Sequence, residues 1–236
     1  MRIDRFLSQA GLASRKEIAK AAKYGHVCVN GVCVKDCSVH IDPNVDCVTF
    51  YGEKVKNDPF VYVLLNKPEG YVSATEDTRF PPVTDLLDPV LQKRGLFPCG
   101  RLDKDTVGLM LLTDDGALAH LLLSPKRHVP KTYRFACAEP LCKEAEKAFL
   151  EGMTLGNGDE LKEAHLCCDD GRTSGTVSIV EGKYHQIKRM FGALDNRITE
   201  LERISFGPLT LDASLKRGEY RPLTEAEIAA LRDAVK

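Results

Sequence analysis

The chain has 236 residues, 43% of them hydrophobic, enough for one large domain or two unequal ones with a sizeable core. Its charged residues, 28% of the total, nearly cancel to a formal net charge of −1, so the molecule is no polycation and any nucleic-acid binding requires locally concentrated basic groups. Arg2, Asp4 and Arg5 interrupt the N-terminus at once and no run approaches the roughly 18 apolar residues of a membrane span, so secretion and membrane insertion are not expected and a cytoplasmic protein is.

In chain order, residues 1–56 read as a small separate module. Ile3, Phe6 and Leu7 have helical spacing, which Gly11 can stop. Ser14 stands three residues before Glu17, a capping box for a second helix through Ile18, Ala21 and Ala22 to Gly25. Asn30-Gly31 then lies between alternating residues, which predicts a hairpin pairing Val29 with Val32, Cys28 with Cys33 and Val27 with Val34. All four valines then face the helices, and the two cysteines form a cross-strand pair on the other side without any metal. The nine cysteines include no C-x-x-C pair and lack zinc spacings, so most are expected to be small buried hydrophobes in a reducing compartment. Arg2, Arg5, Arg15, Lys16, Lys20 and Lys23 face only Asp4 and Glu17 in the first 24 residues. That excess fits either a solvated helix face or a phosphate-contacting surface.

The polar stretch 54–59 ends in proline and reads as a linker, leaving residues 57–236 as the larger part. Segments 60–65, 108–112, 132–137 and 176–180 read as strands, and 115–123, 143–150 and 185–194 as helices. Thr224 and Glu227 form a further capping box that opens a C-terminal helix. Strict βαβ alternation is missing, so the pattern is α+β, with a mixed, mainly antiparallel sheet and helices packed on it.

Three segments could carry chemistry. Gly100-Arg101-Leu102-Asp103-Lys104-Asp105-Thr106-Val107-Gly108-Leu109 is a polar loop with two carboxylates running into a buried strand. Asp103, Asp105, Gly108 and Asp114 have part of a calcium-loop spacing, but Val107 stands where a ligand belongs and 109–111 are apolar. In Glu181-Gly182-Lys183-Tyr184-His185-Gln186-Ile187-Lys188-Arg189-Met190-Phe191, Ile187, Met190, Phe191 and Leu194 form a buried helical stripe. Lys188 and Arg189 lie near that helix's N-terminus, where cations oppose the dipole and call for a partner anion, unless they are ordinary surface charge. Lys126, Arg127, His128 and Lys131 with Tyr133 at a strand edge suit a ligand with a charged backbone and a base, or a basic loop leading to a core tyrosine.

Residues 1–56 resemble the S4-type RNA-binding domain. Asn66-Lys67-Pro68-Glu69-Gly70-Tyr71, Gly100 to Asp103 with Thr106 and Gly108-Leu109, Lys131-Thr132-Tyr133, Gly182 to Met190, Leu201-Glu202-Arg203-Ile204 to Gly207-Pro208-Leu209, and Gly218-Glu219-Tyr220-Arg221-Pro222-Leu223 resemble, in order, the motifs of the ribosomal-RNA pseudouridine synthases. Within that family Tyr184 to Met190 is most similar to the small-subunit branch, the 16S rRNA uridine-516 synthases. Val107 and the abundant cysteines depart from the family pattern.

The resemblance implies a small S4-type α/β RNA-binding domain over 1–56 and a pseudouridine synthase catalytic domain over 57–236. It implies that Asp103 starts glycosidic cleavage, by attack on ribose C1′, by attack on pyrimidine C6, or by assisting elimination to a glycal. Lys188 would pair with Asp103 and keep it ionised. Tyr133 would stack on the base and handle the C5 proton. Leu201 would line the uracil pocket, Arg101 would organise the loop or contact phosphate, and Lys131, Gln186 and Arg189 would also bind substrate. The target uridine must leave its stack, a cost that phosphate contacts from the N-terminal cations offset. No redox, hydride or phosphoryl step occurs, so no cofactor or metal is expected. The expected partner is ribosomal RNA or a partly assembled small subunit, bound by a monomer. The same reaction on 23S rRNA, a non-catalytic RNA-binding assembly factor and a metal-dependent hydrolase stand as rivals.

Overall fold

A computed structural model describes every residue but Asn44 and 56–59, and every side chain in its helices and strands but that of Gln9. Most of the expected linker therefore lies outside the described residues. The chain divides into two compact units, Met1–Val61 with Leu87–Leu96, and Tyr62–Leu86 with Phe97–Lys236.

The first unit opens with α1 (Ile3–Gln9) and α2 (Arg15–Lys23). The capping box of α2 is closed: Ser14 N donates to Glu17 at 2.8 Å, and Glu17 N donates to the Ser14 hydroxyl at 3.4 Å. Strands β1 (Val27–Val29), β2 (Val32–Cys33), β3 (Val48–Phe50) and β4 (Glu53–Lys54) form an antiparallel sheet in the order β2-β1-β3-β4. The β1–β2 register is the expected one, with Cys28 opposite Cys33 and Val29 opposite Val32. Ile3, Phe6, Leu7, Ile18, Ala22, Val27 and Val48 make the core. Val27, Val29 and Val34 join it, but Val32 is exposed, contrary to the expected four-valine face, because edge strand β2 ends the sheet beyond the reach of the helices. Helix α3 (Pro89–Lys93) also belongs to this unit, with the Asp88 carboxylate capping Val90 N and Leu91 N.

Cys28 and Cys33 are joined as a disulfide. Of the other seven cysteines only Cys37, Cys99 and Cys137 are buried, while Cys142 and Cys167 are exposed. Loop and edge-strand positions override the apolar character of the side chain, so the expectation that most cysteines are buried is corrected.

The second unit is built on one nine-stranded sheet. Its path is β13 (Tyr220–Pro222), β5 (Tyr62–Lys67), β7 (Val107–Thr113), β11 (Ile198–Phe206), β8 (Lys131–Cys137), β10 (Ser174–Ile179) and β9 (His165–Cys168). Strand β6 (Phe97–Pro98) pairs with β7, and β12 (Leu209–Thr210) with β11. Only β7 and β11 run parallel, which makes the sheet mixed and mainly antiparallel. Strand β5 is buried at every position, the mark of a central strand covered on both faces, whereas β8 buries alternate residues. Four α-helices and a 3-10 turn over Val83–Leu86 complete the unit, the α-helices being α4 (Gly116–Leu123), α5 (Ala145–Glu151), α6 (Gln186–Gly192) and α7 (Glu225–Asp233). Phe191 of α6 packs edge-on against Phe135 of β8 at 4.8 Å and Phe149 of α5 at 5.6 Å. Leu194 lies beyond α6 and is half-buried, so the apolar stripe is one residue shorter than expected. The Thr224–Glu227 box opens α7 as expected.

Among the described residues no helix is long and apolar enough to cross a membrane. The partial calcium spacing folds as loop and then strand, since Val107–Thr113 is β7.

Candidate active site

The loop from Gly100 to Thr106 joins β6 to β7 and is tied down by backbone contacts. Lys67, the last residue of β5, is fully buried, and its ammonium donates to the carbonyls of Asp103 (3.1 Å), Lys104 (3.3 Å) and Thr106 (2.8 Å). Burial pushes its pKa down to about 8, against the pull of Asp105, Asp103 and Glu69. Ser73 Oγ donates to Leu102 O and accepts from Leu102 N, both at 2.8 Å. Gly70 N donates to Lys104 O at 2.9 Å. Beyond the loop, Gly108 has φ 98° and any Cβ there would overlap the Arg203 carbonyl of β11, so the parallel pairing at the base of the site requires glycine.

On this fixed loop the Asp103 carboxylate is 29% exposed. Lys188, on α6, holds it at 3.0 Å and donates to Asp105 at 2.6 Å. The anion that Lys188 needs is thus a pair of carboxylates. Burial works against the Lys188 ammonium, but the bonds to Asp105 and Asp103 prevail and raise its pKa. Burial likewise opposes Asp105 ionisation, and Lys188 overcomes it and holds Asp105 below the usual carboxylate range. His185 caps α6 in a left-handed conformation (φ 48°), stacks on Tyr184 at 3.9 Å, and places Nε2 3.4 Å from Asp103.

A cavity of about 70 Å³ opens beside this pair. Arg101, Asp103, Tyr133, Gln186, Lys188 and Leu201 all line it, so six of the eight expected site residues come together. Tyr133 is buried on β8, and Leu201 comes from β11. Gln186 is fixed in the wall by Glu181 (2.9 Å) and by Lys183 N (2.9 Å). Thr106 also lines the cavity, and its hydroxyl is buried without a hydrogen-bond partner among the described residues.

Two expected substrate residues do not line the cavity. Lys131 is buried, donates to Val129 O at 3.0 Å and lies 5.6 Å from the Phe206 ring centre. Burial first, and then Arg203, push its pKa down to about 8. Arg189 pairs with Asp159 at 2.7 Å and also bonds Asn157 and Tyr184 O. In the first unit Arg2, Arg5, Arg15, Lys16, Lys20 and Lys23 are all exposed, and Arg2 is paired with Asp4 at 2.9 Å. Sequence reasoning quoted Lys67, Asp105 and His185 inside motifs without giving them work, and missed Ser73. A lysine at the end of an apolar strand was the one signal available for Lys67.

Residues 61–193 match the family model of RNA pseudouridylate synthases, and residues 1–47 match that of the S4 domain. The class is therefore that of RNA-modifying isomerases with an S4 domain. An uncharacterized RNA pseudouridine synthase of Bacillus subtilis is 44% identical over 236 residues, spanning 99% of both chains. Ribosomal small subunit pseudouridine synthase A of Escherichia coli is 39% identical over 232 residues, 98% of this chain and 100% of that one. A crystal structure of a pseudouridylate synthase matches with a TM-score of 0.70 at 39% identity, covering 98% of this chain and 99% of its own. This chain belongs to the RNA pseudouridine synthase family.

Proposed function

We propose that the enzyme converts one uridine of small-subunit ribosomal RNA to pseudouridine, with Asp103 starting the cleavage of the base-to-sugar bond. The observation that carries this reading is the meeting of Asp103, Lys188, Tyr133 and Leu201 at one cavity. Relatives named as small-subunit enzymes favour that RNA over 23S rRNA.

The uridine swings out of its stack at a cost of a few kcal/mol and enters the cavity beside Asp103. Attack on C1′, attack on C6 and assisted elimination to a glycal all begin from an ionised carboxylate. Lys188 sits 3.0 Å from that carboxylate and orients it at the cavity. Uracil detaches, rotates against Leu201 and Tyr133, and rejoins the ribose through C5, where Tyr133 handles the proton released. Arg101 contacts phosphate at the cavity edge, and Gln186 shapes its wall. The free Thr106 hydroxyl is available to the uracil edge. The chemistry moves no hydride or phosphoryl group and needs no cofactor. Residues 1–56 act as an RNA-binding domain through their exposed cations, and 57–236 as the catalytic domain of a cytoplasmic monomer.

The test is to map pseudouridine across ribosomal RNA in cells lacking the gene, complemented with the wild type or with Asp103→Asn. One site should vanish and return only with the wild type. Return of that site with Asp103→Asn would remove Asp103 from the chemistry, and a vanished site in 23S rRNA would reassign the substrate.

A further inference from the structure

The S4 unit contains two hairpin turns of the same geometry and different chemistry. Asn30-Gly31 joins β1 to β2 with φ 50° and 82°, and Tyr51-Gly52 joins β3 to β4 with φ 52° and 84°. Asparagine tolerates the left-handed region, whereas an aromatic residue there is strained and needs a compensating use. The Tyr51 ring is 60% exposed, so core packing is not that use. It stacks on His26 at 4.3 Å with 18° between the planes, and Phe50 meets it edge-on at 4.7 Å. Tyr51 N donates to His26 O at 2.8 Å, which fixes the pair. Tyr24, 70% exposed at the end of α2, lies on the same concave surface with Leu12 and Lys20. Lys16 and Lys23 extend the positive charge along α2. Glu17 also faces this surface, but its carboxylate is bonded to Ser14.

We infer that Tyr24, His26 and Tyr51 form a stacking platform for an unpaired RNA base, with Lys20 beside it for the backbone. Aromatic faces flanked by cations accept any base, because every base has a π-face, and they discriminate against paired bases, which are already stacked. This deepens the proposed RNA-binding role of residues 1–56 and rests on it.

The test uses the full chain and a fluorescein-labelled adenosine decamer, single-stranded or annealed to its uridine complement, followed by anisotropy. Tyr51→Asn suits the turn and should melt no lower than the wild type, yet bind the single strand about tenfold more weakly with unchanged duplex affinity. Tyr51→Phe keeps a ring and should bind as the wild type does. Tyr24→Ala, on a different element, should also weaken single-strand binding. Wild-type single-strand affinity in both Tyr51→Asn and Tyr24→Ala overturns the platform. If Arg15→Ala/Lys16→Ala still weakens binding in that event, the RNA-binding role of the module survives alone. If that variant too binds normally, the module reading falls with the platform.

Discussion

Lys188 serves two carboxylates at once, and it holds them unequally. Asp105 takes the shorter contact, 2.6 Å against 3.0 Å, which leaves Asp103 paired yet open to the cavity. Asp105 thereby positions the lysine. Lys131 shows the opposite case, a cation buried away from the cleft. In β8 the inward residues are Lys131, Tyr133, Phe135 and Cys137, so alternation from Tyr133 already places Lys131 on the buried side. The charge of a lysine overshadows that period in a sequence, which is why Lys131 reads as a ligand group. Lys131→Met should therefore leave turnover within about threefold of wild type and raise stability at neutral pH. The folded pKa is about 8 against an ordinary 10.5, so below pH 8 both states carry the proton and the burial cost is felt in full. Between these values the unfolded chain holds more protons, so wild-type stability rises with pH, by on the order of 3 kcal/mol in total. Urea melts at pH 7 and pH 10 should show the advantage of Lys131→Met shrinking as pH rises. A constant difference would mean that Lys131 keeps its proton in the fold over this range, with its pKa not lowered by burial.

Helices and hairpins with local signals were readable from residues alone: the boxes at Ser14 and Thr224, and the turn at Asn30-Gly31. Strand β11 was not. It has register shifts between Ile198 and Glu200 and between Arg203 and Ser205, so its buried residues Leu201, Arg203 and Phe206 do not keep a period of two. One of them is a fully buried arginine, held by Leu109 O at 2.7 Å and by the Phe206 ring at 5.2 Å, which no hydropathy pattern anticipates. The cavity was legible as motifs, but its geometry depends on this strand, which supplies Leu201 and runs parallel to β7. Gly108 pairs with Arg203 at this parallel junction, where a Cβ would overlap the Arg203 carbonyl. Gly108→Ala combines a positive φ with backbone overlap and should cost about 3 kcal/mol, read as a lower midpoint in urea with an unchanged slope. Asp103 lies five residues upstream on the loop that feeds β7, so turnover should fall by more than the folded fraction does. Full activity per folded molecule would mean that the β7–β11 junction does not set the loop.

A chain of net charge −1 binds a polyanion only by segregating its charge. The first 24 residues concentrate six cations against two acids, and those cations are exposed, while the catalytic unit spends many of its own on pairs such as Arg189–Asp159, Arg172–Glu146 and Arg221–Glu227. Paired arginines release few counterions on binding; free ones release them fully. The salt dependence of RNA affinity should therefore come disproportionately from the N-terminal helices. Arg15 and Lys16 begin α2, where the helix dipole adds to their field. Replacing both with alanine should flatten the plot of log affinity against log salt for a 16S rRNA transcript by roughly 1.5, at about 0.7–0.9 per lost phosphate contact. The loss in affinity should be large at 50 mM salt and small at 300 mM. Parallel lines for the two proteins would mean that this cluster is a solvated face, and that the RNA grips the catalytic unit alone.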